Sequence, residues 1–378
     1  MSYKELRIVK ITEQLNKHKF ISKIVMVFTQ SFFFIIRKVI KLIEIKDGNI
    51  VIISLLKLGD SVFTVPAIKE IQNHYQKKII IICFPESVPI FKLALAGVSF
   101  SPIEHEEFFF NERMASSRAR KILKSSNPEI IFDFNGVMTS ATLIFSSQAK
   151  TIVGIGRRQF KTIYDFFVPE NRNNHLMDIY LETIAPIIPI IDKEIIKQFL
   201  RTTEKNKNIL IHPFAGWNAK EWNLAKYIQL GSLLSEKYDV SIVAPINSIE
   251  SDIKEEIIEK GMSFTITQTV DDLISEIKKC SIFIGNDSGP IHIADLLGKF
   301  TFCIYGPTNP KFPRPIGNQH SYYKSEIKCT PKNNEEFCFT NGGRNGCPAY
   351  ECMNSLTVEK VYSELSGFLN EGSKKLKY

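Results

Sequence analysis

Short, wholly apolar runs alternate along the chain with longer stretches in which apolar residues recur every three or four positions. From Asn49 the alternation is regular. "NIVIISLL" is a continuous apolar run, "KLGDS" a polar turn, "VFTVPAIKEIQNHYQ" a stretch with helical spacing, and "KKIIIICF" the next apolar run. Continuous apolar strands between amphipathic helices predict a parallel sheet covered on both faces. "PEIIFDFNG" (128–136) and "KTIVGIG" (150–156) extend the series. Around 170–205 the alternation lapses into a proline-containing stretch that predicts a linker. A second series opens at "KNILIHPFAG" (207–216) and runs through "YDVSIVAP", "SFTIT", "CSIFIGN" and "FTFCIYGP".

The pattern predicts two Rossmann-like α/β domains with a cleft between them, over residues 46–190 and 191–378, after an N-terminal extension, 1–45. Sheets of this kind bind ligands beyond the carboxyl ends of their strands. Three polar turns fall at such ends: "KLGDS", "HPFAGWNAKEW" and "GNDSGPIH".

The extension has a different pattern. In "FISKIVMVFTQSFFFIIRKVIKLI" (20–43) the uncharged run from Ile24 to Ile36 is bounded by Lys23 and Arg37. A helix of that length spans roughly 20 Å, short of the roughly 30 Å hydrocarbon core of a bilayer. No small-residue cleavage site follows, so a signal peptide is not predicted. Apolar bulk flanked by Lys19, Lys23, Arg37, Lys38 and Lys41 predicts an amphipathic helix, lying in a membrane interface or packed on the protein itself.

Composition narrows the function. With 378 residues, 44% hydrophobic and 23% charged, the chain has the make-up of a folded protein with two cores. Its net charge of +8 is milder than that of a dedicated nucleic-acid binder and suits an anionic substrate or membrane surface. Cys83, Cys280 and Cys303 sit in strand-like runs, as reduced core thiols do. Cys329, Cys338, Cys347 and Cys352 lack the short C-x2-C spacing of a zinc knuckle, so no metal is predicted, while paired thiols or disulfides stay open.

The polar turns carry the candidate chemistry. In "FIGNDSGPIHIADLLGK", Asp287 or Ser288 suits a helix N-cap, Pro290 the first turn and Gly298 the end. Amides of Ser288 and Gly289 at the positive end of such a helix suit an anion, and Gly289 has no Cβ to keep a phosphate away. His292, one turn on, could face the same anion; the spacing equally suits a set of caps with a half-buried histidine. Asp60 in "KLGDS" is placed for a general base on a hydroxyl, or as the cap of a helix starting near Ser61. The turn lacks the G-x-G-x-x-G dinucleotide fingerprint. Lys220, flanked by Trp217 and Trp222, is a phosphate clamp or a solvated loop lysine.

Three motifs in this order resemble the bacterial heptosyltransferases of glycosyltransferase family 9. They are "VIISLLKLGDSVFTVPAIKEI", "ILIHPFAGWNAKEWNLAKYIQL" and "FIGNDSGPIHIADLLGKFTFCIYGPTNP", with "HLMDIYLETI" (175–184) a further likeness. The resemblance covers roughly 49–365 and implies the GT-B fold of two facing Rossmann-like domains. It further implies inverting, metal-independent transfer of heptose from ADP-heptose to the inner core of lipopolysaccharide or lipooligosaccharide, without a cofactor. Asp60 would then be the general base, and Lys220 with the Ser288 and Gly289 amides would hold the diphosphate. Asp287 would bond the donor sugar, His292 support the phosphate site and Glu250 meet the ribose. Where relatives place hydroxyl residues after the H-P segment, this chain has Ala215 and Gly216, which leaves that contact to backbone amides. Arg118, Arg120, Lys121 and Lys124, with Arg157, Arg158 and Lys161, are candidates for a phosphorylated, lipid A-linked acceptor. The place of action implied is the inner leaflet of the cytoplasmic membrane, with no nucleic-acid partner. A different nucleotide-sugar donor, an epimerase of the same fold, and a non-catalytic binding protein are the alternative readings.

Overall fold

The computed structural model describes residues 19–41, 47–110, 114–156, 158–171, 173–189, 208–338, 347 and 349–370. The expected acceptor residue Arg157, the N-terminal extension before residue 19 and residues 190–205 of the expected linker lie outside these. The chain divides into two compact units, Met1–Asn171 with Leu176–Ile191, and Arg172–His175 with Asp192–Tyr378.

The first unit is built on strands β1 (Asn49–Ser54), β2 (Ile79–Cys83), β3 (Ser99–Phe100), β4 (Pro128–Asp133), β5 (Thr151–Gly156) and β6 (Phe166–Pro169). Their order is β3-β2-β1-β4-β5-β6 and every pairing is parallel. Helices α1 (Lys19–Ile40), α2 (Leu58–His74), α3 (Val88–Ala94), α4 (His105–Phe108), α5 (Ser117–Ser125), α6 (Met138–Ile144) and α7 (Leu176–Ile184) complete it. The second unit has strands β7 (Asn208–His212), β8 (Asp239–Pro245), β9 (Ser263–Thr267), β10 (Ile282–Asn286), β11 (Phe300–Tyr305) and β12 (His320–Lys324). They pair in parallel in the order β12-β11-β10-β7-β8-β9. Its helices are α8 (Leu224–Ser235), α9 (Ser251–Glu259), α10 (Val270–Lys279), α11 (Gly289–Leu296), α12 (Glu351–Asn354) and α13 (Val358–Asn370).

Both sheets thus have the Rossmann order, which reverses direction between β1 and β4 in one unit and between β7 and β10 in the other. The central strands are buried on both faces, as Ile50–Ile53 of β1 and Ile282–Ile284 of β10 are, so apolar and mostly β-branched residues fill successive positions. Each unit has its own apolar core, one including Val51, Ile82 and Ile131, the other Ile211, Ile284 and Leu365.

Two local expectations need correction. Helix α2 begins at Leu58 behind an extended Lys57, so Asp60 lies inside its first turn instead of capping it. Arg37 of α1, expected as a flanking cation, is buried, donating to the carbonyl of Ala149 (2.6 Å) and to Asp165 Oδ2 (2.8 Å). The carboxylate and carbonyls there replace water around the guanidinium.

Candidate active site

The turn after β10 folds as its sequence suggests. Ser288 is the extended N-cap of α11, Pro290 sits in the first turn, and Gly298 takes a positive φ of 71° just past the end. The loop after β7 ends in a short 3-10 turn, Asn218–Lys220, that brings Lys220 Nζ within 2.5 Å of Asp287 Oδ2. His292 Nε2 lies 3.8 Å from the other carboxylate oxygen. Asp287 is only 4% exposed. Burial alone would raise its carboxyl, but the Lys220 charge, with His292 beside it, outweighs this and holds it well below the usual carboxylate range. The Lys220 ammonium also lies 5.8 Å from the ring centroids of both Trp217 and Phe337, which meet edge to face. Cation–π attraction therefore adds to the ion pair in fixing its position.

Asn286, fully buried at the end of β10, sets this geometry. Its Oδ1 accepts from the Trp222 amide (3.0 Å) and the Tyr227 hydroxyl (2.9 Å), and its Nδ2 donates to the Pro213 carbonyl (2.8 Å). One side chain thereby ties both ends of the loop carrying Lys220 to the strand carrying Asp287. Within that loop the Ala215 amide donates to Glu221 Oε1 (2.8 Å), so it is engaged, while Gly216 stands in open space. Glu250 is exposed and occupies the N-cap position of α9, beyond the end of β8. Deeper in α11, buried Asp295 accepts from the amides of Ile316 (2.6 Å) and Gly317 (3.0 Å), and burial pushes its carboxyl up to about 6. His212, at the end of β7, donates through Nδ1 to the Phe214 carbonyl (3.1 Å), and burial pulls its imidazole down to about 4.

In the first unit Asp60 is half-buried in the first turn of α2. Its charge reaches Tyr180 of α7: burial, then Asp60 and Glu170, push that phenol well above its usual range. The start of the loop to Asp60 is held by Asn135, just beyond β4. Asn135 Oδ1 accepts from the Leu55 amide (3.0 Å) and its Nδ2 donates to the Leu55 carbonyl (2.7 Å). Asn135 is itself positioned by its backbone amide, which donates to buried Asp133 (2.9 Å); Tyr164 Oη donates to the same carboxyl (2.8 Å). An asparagine thus pegs the first crossover loop at the switch point of both sheets.

Sequence reasoning found Lys220, Asp287 and His292, and the structure brings them together. It missed Asn135 and Phe337. Asn135 had a faint signal in the polar "DFNG" closing an apolar strand; Phe337 had none, since it arrives through a bridge to Thr308. Of the basic candidates, Arg118 faces Glu107 (3.6 Å) and Arg120 donates to the Ala115 carbonyl (2.6 Å). Both line a surface pocket of about 520 Å³ with Phe110 and Met114. Lys121 and Lys124 are exposed on α5, whereas Arg158 and Lys161 are exposed on a separate 3-10 segment, Arg158–Ile163. The four tail cysteines stand as free thiols. Burial, followed by its neighbours Cys338, Cys329 and Cys347, pushes Cys352 up to about 12.

Two Rossmann-type parallel sheets in one chain, each with its polar loops at the switch point, define a two-unit α/β protein of the GT-B class expected from the sequence. Residues 117–341 match the family model described as glycosyltransferase family 9 (heptosyltransferase), and the chain belongs to that family. Lipooligosaccharide heptosyltransferase 2 of Campylobacter jejuni is 28% identical over 174 residues, 43% of this chain and 52% of that protein. The chain thus spans about half the length of the curated relatives it matches. A family 9 glycosyl transferase from Veillonella parvula superposes with a TM-score of 0.66 at 16% identity, over 87% of this chain and 99% of that one. E. coli heptosyltransferase WaaC, solved with ADP, gives 0.62 at 16% identity, over 85% and 99%. At this identity the likeness is one of fold.

Proposed function

We propose that the protein is an inverting glycosyltransferase that moves heptose from ADP-heptose to a lipid-linked inner-core acceptor of lipopolysaccharide or lipooligosaccharide. The observation that carries this is the Lys220–Asp287–His292 group at the switch point of the second sheet, beside the Ser288 and Gly289 amides. Family membership and the ADP found with a structural relative support the choice of donor.

The reaction is a single displacement. Asp60 takes the proton from the acceptor hydroxyl as its oxygen attacks the anomeric carbon. The bond from that carbon to the diphosphate breaks, and the electron pair leaves with ADP. Lys220 and the helix amides stabilise the charge that develops there. Asp287 is buried and already engaged by Lys220, so we assign it to aiming that ammonium in addition to any bond with the sugar. Glu250 is assigned to the ribose. Arg118, Arg120, Lys121 and Lys124 are assigned to the acceptor's phosphates.

The test is thermal stabilisation by ADP-heptose, ADP, and UDP- and GDP-linked sugars, on the wild type and Lys220→Ala. A ligand at 100 times its dissociation constant stabilises by about 2.7 kcal/mol. Stabilisation by ADP-heptose that is lost in the variant is expected. A response confined to another nucleotide sugar would change the donor, and no response to any of them would sink the proposal.

A further inference from the structure

Helix α1 lies outside the residues matched to the family, and its two faces differ. The inner face is docked on the first unit. Phe33 is buried against Phe145 and Phe160, and Arg37 is bonded to the Ala149 carbonyl and Asp165. Gln30 donates to the Arg158 carbonyl (2.8 Å) and its own carbonyl accepts from Thr162 Oγ1 (2.8 Å). These bonds join the helix to the 3-10 segment Arg158–Ile163.

The outer face is apolar and open. Phe28, Phe32, Ile35 and Val39, at alternating spacings of four and three, are 72%, 54%, 59% and 57% exposed. Val27 and Phe34 lie exposed beside them. A contiguous apolar stripe of this size marks an interaction surface. Its surroundings are basic. Lys38 is exposed with its ammonium 5.4 Å from the Phe34 ring, and Arg158 and Lys161 are exposed on the docking segment. The helix contains no acidic residue, and Asp165, nearby, is paired with Arg37 and Lys41.

We propose that this face is a membrane contact surface, which lies in the headgroup boundary of one anionic leaflet with Lys38, Arg158 and Lys161 on lipid phosphates. The inference deepens the proposed use of a lipid-linked acceptor and rests on that reading for its purpose, not for its chemistry. Charge selects the occupant. Two copies of the chain meeting on this face would bring like charges together, whereas anionic headgroups complement them. Among the described residues no helix is long and apolar enough to cross a membrane, so the contact is with a single leaflet. Arg158 and Lys161, expected at the acceptor, are reassigned to the lipid surface because they flank the docked helix.

The test is flotation of the full chain with vesicles of phosphatidylcholine alone and of phosphatidylcholine with phosphatidylglycerol, without substrates. Binding to the mixed vesicles is expected, weakened by salt. The pair Phe28→Glu and Ile35→Glu should reduce it about tenfold or more without changing the melting temperature, since both side chains are exposed. Lys38→Glu with Lys161→Glu should reduce it on the anionic vesicles only. Flotation of the Phe28→Glu, Ile35→Glu protein at the wild-type level would overturn the proposal. So would a wild-type dimer in solution that this variant dissociates. Transfer to a soluble acceptor analogue, measured on the Phe28→Glu, Ile35→Glu protein, reports separately on the transferase reading and should stay at the wild-type level.

Discussion

Asn286 bonds to three separate groups from inside the protein, and its loss should be felt as fold stability before it is felt as chemistry. Asn286→Ala leaves the Trp222 amide, the Tyr227 hydroxyl and the Pro213 carbonyl without this partner in a buried site. At about 1–3 kcal/mol for each unsatisfied group, urea denaturation should show a loss of at least about 3 kcal/mol. Nucleotide affinity should fall with it, because the loop that aims Lys220 is freed. Acid titration tests the neighbouring groups. Asp287 is depressed, so its contribution is complete above the ordinary carboxylate range and is lost progressively as pH falls from there toward its depressed value. His212 and Asp295 act in a milder window with opposite signs. His212 is lowered to about 4, so unfolding takes up a proton below its ordinary value of 6.5, and stability falls as pH drops through that interval. Asp295 is raised to about 6 from 3.8, so the folded state holds the extra proton and stability falls as pH rises through that interval. The two partly cancel. In Asp295→Asn, stability should therefore fall more steeply than in the wild type between pH 6.5 and 4, and an unchanged slope would contradict the assignment.

At the scale of elements, what burial writes into sequence was legible. The central strands are buried on both faces, and each appears as an unbroken apolar run. The edge strands β3, β6 and β12 were not foreseen, whereas β9, also an edge, was legible from the alternation in "SFTIT". An edge strand has one neighbour and a wet side; "SF" is too short and "HSYYK" too polar to show a run, and "FFVP" is only three apolar residues closed by a proline. The start of α2 was misplaced by three residues, because Asp60 and Ser61 looked like caps while Lys57, which occupies the cap, makes no side-chain bond there. Lys220 and Asp287 were found through local turn chemistry, whereas their pairing and the Phe337 ring beside them are tertiary and left no periodic trace. One glycine tests the loop geometry. Gly136 has a φ of +58°, and a Cβ there would lie 2.0 Å from the Ile155 carbonyl oxygen. Gly136→Ala should lower stability by roughly 2 kcal/mol or more and loosen the Asn135 peg beside it, read by chemical denaturation.

At the scale of the molecule, the two units divide the proposed labour, and variants should separate along that division. Asp60→Asn should lower turnover on the order of a hundredfold or more while leaving stabilisation by the nucleotide intact. Lys220→Ala should lose that stabilisation. An Asp60→Asn protein that no longer responds to nucleotide would contradict the division. The pegging asparagines also differ in their C-terminal neighbours: Asn286 precedes Asp287, but Asn135 precedes Gly136. An asparagine before glycine is the pair in which the next backbone nitrogen most readily attacks the side-chain carbonyl, with release of ammonia. In the folded protein both ends of the Asn135 amide are occupied by Leu55. In the unfolded chain nothing protects it. A deamidated peg is a carboxylate, which loses the donor to the Leu55 carbonyl. Time spent unfolded should therefore age this protein chemically at one of its two matching pegs, and the first unit should be the one that fails to refold.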